Sequence, residues 1–346
     1  MYNSRIPRFC LLIAAVWASA CGGATSSPTV APTPEPVPDV YVVGAQIHGT
    51  GRHVAMLWKN GVGVSLTDGT RTAIAHSLAV SGSDVYVVGE ESQGFFQGAR
   101  LWKNGVLVPF TNALIHSAAL SVAVSGNDLH VAGYETDGSG PTVATVWKNG
   151  VASRLADATR TSVANGIALS GPDVYVAGHA VHEQHRTTSV ATIWKNGFAT
   201  ALTDGLRDSR AASVAVSGSD VHVAGYEFNG TRNVAKVWKN GVPTALTDGA
   251  RDAQAVAVAV SGADVYVVGY DDRTTRVWKN GAPGLAPEGT SGTSAHWVAV
   301  SGRGIYVAGH DSNVGVATVA MLWTNGVATP LTDGRTAAVA RFVAVK

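Results

Sequence analysis

Thiols and charge are both scarce in this chain. Its 346 residues include two cysteines, too few for a disulfide framework. Charged residues make up 14%, with a formal net charge of +1. That balance gives no electrostatic case for nucleic acid as a partner. No stretch approaches the 18 apolar residues of a transmembrane helix. Sequences of the GxSxG, HExxH, P-loop and GxGxxG types do not stand out. No cofactor is implied. What is present is 46% hydrophobic residues and 40 glycines. That is enough apolar material for a large core, in a chain of short strands and tight turns.

Residues 1–20 read as an address. Arg5 and Arg8 precede the apolar run Phe9–Ala18, and small residues follow at Ala18, Ser19 and Ala20. This is the grammar of a secretory signal. Cys10 falls inside that segment, so Cys21 is expected to be the one thiol of the mature chain. A lone thiol in an oxidising compartment is a liability unless it is modified. The ending Ala-Ser-Ala-Cys resembles the lipobox of bacterial lipoproteins, although that family prefers Leu where Ala18 stands. The resemblance implies lipidation at Cys21 and a membrane anchor. It places the protein in the bacterial cell envelope, facing the periplasm or the exterior. Residues 21–38 form the lipidated end and a spacer, with Pro32, Pro34, Pro36 and Pro38 at alternate positions. Such spacing favours extended polyproline II.

From Asp39 to Lys346 the chain repeats. DVYVVG begins at Asp39 and returns in variants at Asp84, Asp128, Asp173, Asp220, Asp264 and Gly304. WKNG follows each time, from Trp58, Trp102, Trp147, Trp194, Trp238 and Trp278, and as WTNG from Trp323. Each unit carries four strand signals. Asn-Gly joins the third to the fourth, and both residues accept the positive φ of a type I′ turn. SGSD, SGND, SGPD and SGAD join the first to the second. Four antiparallel strands per repeat of this length describe a propeller blade. A column of alanines suits the crowded axis: Ala79, Ala123, Ala168, Ala215, Ala259, Ala299 and Ala344.

The last unit ends in RFVAVK, an inner-strand sequence, whereas the first unit starts at its second strand. The expectation is therefore an all-β, seven-bladed β-propeller at 39–346, closed by the C-terminal strand, after a signal peptide and Pro-rich linker. The strand grammar of VAVSG followed by VYVAG resembles NHL and RCC1 repeat propellers, and that resemblance carries no functional residues. The alternative architecture is an open β-solenoid.

The short turns belong on one face and the longer loops on the other. After the second strand come Ala45, Glu90, Tyr134, His179, Tyr226, Tyr270 and His310, with acids at Glu91, Glu135, Glu227, Asp271 and Asp311. After the fourth strand come Arg71, Arg160, Arg207, Arg251 and Arg335. The simplest reading of these columns is a set of ion pairs between blades. The Asp residues of the TDG phrases read as turn formers rather than calcium ligands.

Departures from the repeat are better site candidates. Trp297 and Phe342 replace the small residues of other inner strands, beside His296 and Arg341. Aromatic faces next to polar groups suit sugars, or else they plug the channel. His179, His182 and His185 are weak candidates for a metal, since their spacing lacks the geometry to fix three ligands. No catalytic residue is singled out. The expected function is a membrane-anchored binding or scaffold propeller, monomeric, with a glycan or protein partner on the long-loop face. The alternative is a polysaccharide-acting hydrolase or lyase at the channel mouth.

Overall fold

The computed structural model describes residues 38–49, 51–94, 96–111, 116–136, 140–182, 187–272, 274–284, 292–313 and 316–346. The signal segment, Cys21 and nearly all of the spacer lie outside them. Twenty-eight strands form seven four-stranded antiparallel sheets, and there is no helix among the described residues. The sheets are the blades of a β-propeller. Blade 2 shows the pattern, from axis to rim: Ala73–Ser81, Asp84–Gln93, Phe96–Lys103 and Val106–Val108. Each inner strand packs beside those of its two neighbours, which closes the ring.

Blade 1 is built from both ends of the repeat region. The C-terminal strand Ala338–Val345 pairs antiparallel with Val40–Ile47 as its inner strand. Reciprocal backbone bonds of 2.9 Å between Asp39 and Lys346 fasten the end of the pair. A solenoid would leave these two strands as free edges, the liability that closure removes.

The turns take the forms that their residues dictate. All seven Asn-Gly pairs have positive φ at both positions, as in Asn60 (50°) and Gly61 (83°). The other tight turn has positive φ only at its glycine, as in Gly82 (55°), which is the type II′ pattern. Both turns lie on one face and are tied together there. Asn104 donates to Asp84 Oδ1 at 2.9 Å and accepts the Val85 N–H at 2.8 Å. Lys103 pairs with Asp84 at 2.7 Å. Six blades repeat this Lys–Asp pair at the same distance. Blade 7 has lost both partners together, with Gly304 and Thr324 in their places.

The core is divided into seven apolar clusters, one at each joint between blades, and each holds one tryptophan of the WKNG column. All seven are at most 2% exposed. At roughly 25 cal/mol per Å² and about 200 Å² apiece, each indole contributes on the order of 5 kcal/mol. The hydrophobic effect is thus spent between blades rather than within them.

One local feature matters for function. Every inner strand carries a β-bulge at the same place, near its long-loop end. In blade 2 the register passes from Ala75↔Gly89 to Ser77↔Val88 and skips His76. The bulge drives the Ile74 carbonyl toward Gly89, where a Cβ would sit 2.0 Å from that oxygen. Glycine occupies this position in all seven blades, from Gly44 to Gly309.

Candidate functional site

The bulge selects the side chains at the long-loop end of the inner strands. The skipped residues are Arg341 in blade 1, His76 in blade 2, Leu120, Asn165, Ala212 and Val256 in blades 3 to 6, and His296 in blade 7. Two sequence candidates, His296 and Arg341, are therefore bulge residues. The polar ones cluster in three consecutive blades, 7, 1 and 2. Blades 3, 5 and 6 carry aliphatic residues there. Asn165 in blade 4 is used up by a 2.8 Å bond from its amide to the Ala211 carbonyl of blade 5.

Across the polar arc the groups are in mutual contact or electrostatic reach. His296 Nε2 lies 3.0 Å from His310 Nδ1 with the rings stacked. Burial, then His310 and Arg341 nearby, push His296 down to about 3. Burial and Arg341 also lower His310, against the pull of Asp311. Both imidazoles are thus neutral at pH 7. Burial lowers Arg341 as well, with Glu90 of blade 2 opposing it. Its Nε is buried and makes no hydrogen bond. His76 Nε2 stands 3.5 Å from Glu90 Oε1, outside hydrogen-bond geometry. Gln97 donates to the same Glu90 oxygen at 3.4 Å. The result is a cationic group with an unused donor, flanked by imidazoles and one carboxylate.

Trp297 and Phe342 sit one residue beyond the bulge. In blades 2, 3 and 5 that position is a serine whose hydroxyl accepts a backbone N–H from the inner strand of the next blade: Val122 to Ser77 (3.3 Å), Ile167 to Ser121 (3.2 Å) and Val258 to Ser213 (3.3 Å). At the joint of blades 7 and 1 the aromatic pair takes over. The rings of Trp297 and Phe342 stack at 4.2 Å and 24°. Both are half-buried. The four sequence candidates therefore come together. His76, Glu90 and His310 complete the arc. Glu90 and His310 were visible only as members of a column, and His76 was not singled out at all.

Other candidates do not converge. His179 lies in a strand, buried and held down to about 4 by burial and by Arg210. His182 is on the following loop against Gly205, and His185 lies outside the described residues. Among the described residues no three His, Cys, Asp or Glu side chains are grouped to hold a metal. The polar columns also pair differently from expectation. Glu91, Glu227 and Asp271 bond within their own blades, to Arg100, Lys236 and Arg276. Arg160 and Arg335 turn back to Asp157 and Asp333, three and two residues earlier. Asp68, Asp204 and Asp248 each accept a backbone N–H two residues on, which makes TDG a turn.

No family model matches the chain, and no curated protein matches it. Solved structures do. A puromycin-hydrolysing peptidase of Mycobacterium tuberculosis aligns at 11% identity with TM-score 0.54, over 87% of this chain and 51% of that one. A structure from a study of two prolyl endopeptidases aligns at 14% identity with TM-score 0.50, over 89% and 50%. A computationally designed protein, Ika8, aligns at 16% identity with TM-score 0.47, over 88% and 95%. The chain thus spans about half the length of each peptidase structure. The two peptidase likenesses agree with the fold that the seven sheets define, a seven-bladed β-propeller.

Proposed function

We propose that this protein is a binding propeller, anchored to a bacterial envelope membrane through Cys21, that recognises an acidic glycan at the long-loop mouth of the ring. The observation that carries this reading is Arg341, whose buried Nε has no partner while Trp297 and Phe342 stand beside it. A guanidinium with a free donor is suited to a carboxylate. Half-buried aromatic surface next to it is suited to the apolar face of a sugar ring. The neutral His296 and His310 offer further donors and acceptors without adding a competing charge.

A second reading, a hydrolase or lyase acting on the same polymer, rests on Glu90 beside His76 within the arc. A carboxylate and imidazoles in one cluster are the raw material of acid–base catalysis. Incubating the bound glycan with the full chain and measuring chain length separates the two. Intact glycan supports binding alone.

The test of the site is Trp297→Ala on a glycan array, with melting followed in parallel. A stacking platform loses acidic-glycan binding and melts near the parent. Loss of stability with binding intact means that Trp297 is a plug. For the anchor, Cys21→Ala is expected to leave the membrane fraction. A processed variant that stays there contradicts it.

A further inference from the structure

The joint between blades 3 and 4 differs from the others on its outer half. Two positions, one on the second strand and one on the third, fill the space over the tryptophan of each blade. In blade 2 they are Glu91 and Arg100, an ion pair at 3.0 Å. In blade 5 they are Glu227 and Lys236, also paired. In blade 3 they are Glu135 and Thr145, and Glu135 turns to accept the Trp147 indole N–H at 3.2 Å. In blade 4 the register places Ala180 and Thr192 there. No other blade has so little side chain at this pair.

The cleft between these blades is accordingly the roomier one, about 540 Å³ floored by Trp194 and walled by Ala180, Val190, Ala199 and Leu155, against about 420 Å³ at the equivalent joint of blades 1 and 2, where Glu91 stands beside Trp102. Arg160, which lines the mouth, holds Asp157 at 3.2 Å. The Trp194 indole N–H is buried and has no acceptor. An orphaned buried donor is costly, and a cleft of this size that joins aliphatic walls to polar groups at Ser162 and Thr192, beside such a donor, fits a small amphipathic ligand.

The repeat itself identifies the ligand chemistry. Glu135 occupies in blade 3 the position that Ala180 occupies in blade 4, and its carboxylate is what satisfies the same indole N–H. We propose that the cleft between blades 3 and 4 binds a small organic carboxylate with an apolar body, whose carboxylate replaces the one that Ala180 lacks and accepts the Trp194 N–H. The body packs on the aliphatic walls. This site is separate from the axial mouth, and neither depends on the other.

The test is a titration of the full chain with phenylacetate and with hexanoate, read on the indole N–H resonances by proton–nitrogen NMR. Trp194→Phe and Trp238→Phe assign the two peaks. Trp238 is the internal control, because its N–H is also orphaned but Glu227 and Lys236 occupy its joint. The expected result is a saturable shift of the Trp194 peak alone, with 2-phenylethanol at least about tenfold weaker than phenylacetate. Ala180→Glu should move the Trp194 peak without ligand and abolish the titration. Ala180→Leu, which fills the space without an acceptor, should abolish the titration and leave the free peak in place. Either variant suffices if the other does not fold. No response to either acid, equal shifts at Trp194 and Trp238, equal binding of the alcohol, or undiminished binding in a folded variant would each overturn the proposal.

Discussion

The two ends of the inner strands obey different rules. At the short-turn end, six blades repeat the same Asp, Lys and Asn contacts, with the Lys–Asp pair at 2.7 Å in each and the Asn–Asp bond between 2.7 and 2.9 Å. When blade 7 departs, it loses both partners of the ion pair together. At the long-loop end the backbone repeats just as faithfully, through the bulge and its glycine, but the bulge residue changes from blade to blade. Three neighbouring blades place Arg341, His76 and His296 there, and three others place Leu120, Ala212 and Val256. A repeated side chain fits a scaffold role. A repeated backbone position with a varied side chain is a mount on which a site can be assembled.

The contrast can be broken first at ring closure. Removing Arg341–Lys346 strips most of the inner strand from blade 1 and exposes its backbone partners. The truncated chain should fail to yield a folded monomer, as judged by gel filtration and circular dichroism. A monomer that melts like the parent would mean that the C-terminal strand is dispensable.

Next comes the mount itself. Gly89→Ala puts a Cβ 2.0 Å from the Ile74 carbonyl, so the bulge must shift. A loss of about 3 kcal/mol in chemical denaturation is expected. An unchanged midpoint would show that the bulge is soft.

A smaller effect is expected from pH. His296 is held near 3, below its ordinary value of 6.5, and His179 near 4. The unfolded chain therefore takes up protons that the folded chain refuses. Stability is complete above about pH 6.5 and falls as pH drops from there toward 3. His296→Gln should flatten part of that slope. A slope identical to the parent would mean that His296 is protonated in the folded state.

The smallest effect belongs to the repeated face. Lys103→Ala removes one exposed ion pair with Asp84. No resolvable change in Tm is expected, because an exposed pair gains little over its solvated partners. A clear loss would make that face a network rather than a set of independent pairs.

Much of this was legible in the sequence. The period, the seven Asn-Gly turns and the tryptophan column specify the blades, because each is a short-range requirement written in residue types, and the mismatched ends specify the closure. His296, Trp297, Arg341 and Phe342 stood out as exceptions to a repeat. His76 did not, because a bulge is a shift of register between strands and leaves no mark in composition except the distant Gly89. The pairing of Arg160 with Asp157 rather than with a neighbouring blade was also hidden, since several acids lie within reach on paper. The cleft over Trp194 was least visible, for it consists of side chains that are missing at Ala180 and Thr192.

The most direct test of the account is calorimetric titration of the full chain with a uronic-acid oligosaccharide and its neutral counterpart, using the parent and Arg341→Gln. The parent is expected to bind the acidic sugar and not the neutral one, and Arg341→Gln to keep the fold but lose the binding. Equal affinity for both sugars, or binding by Arg341→Gln as strong as by the parent, would contradict it.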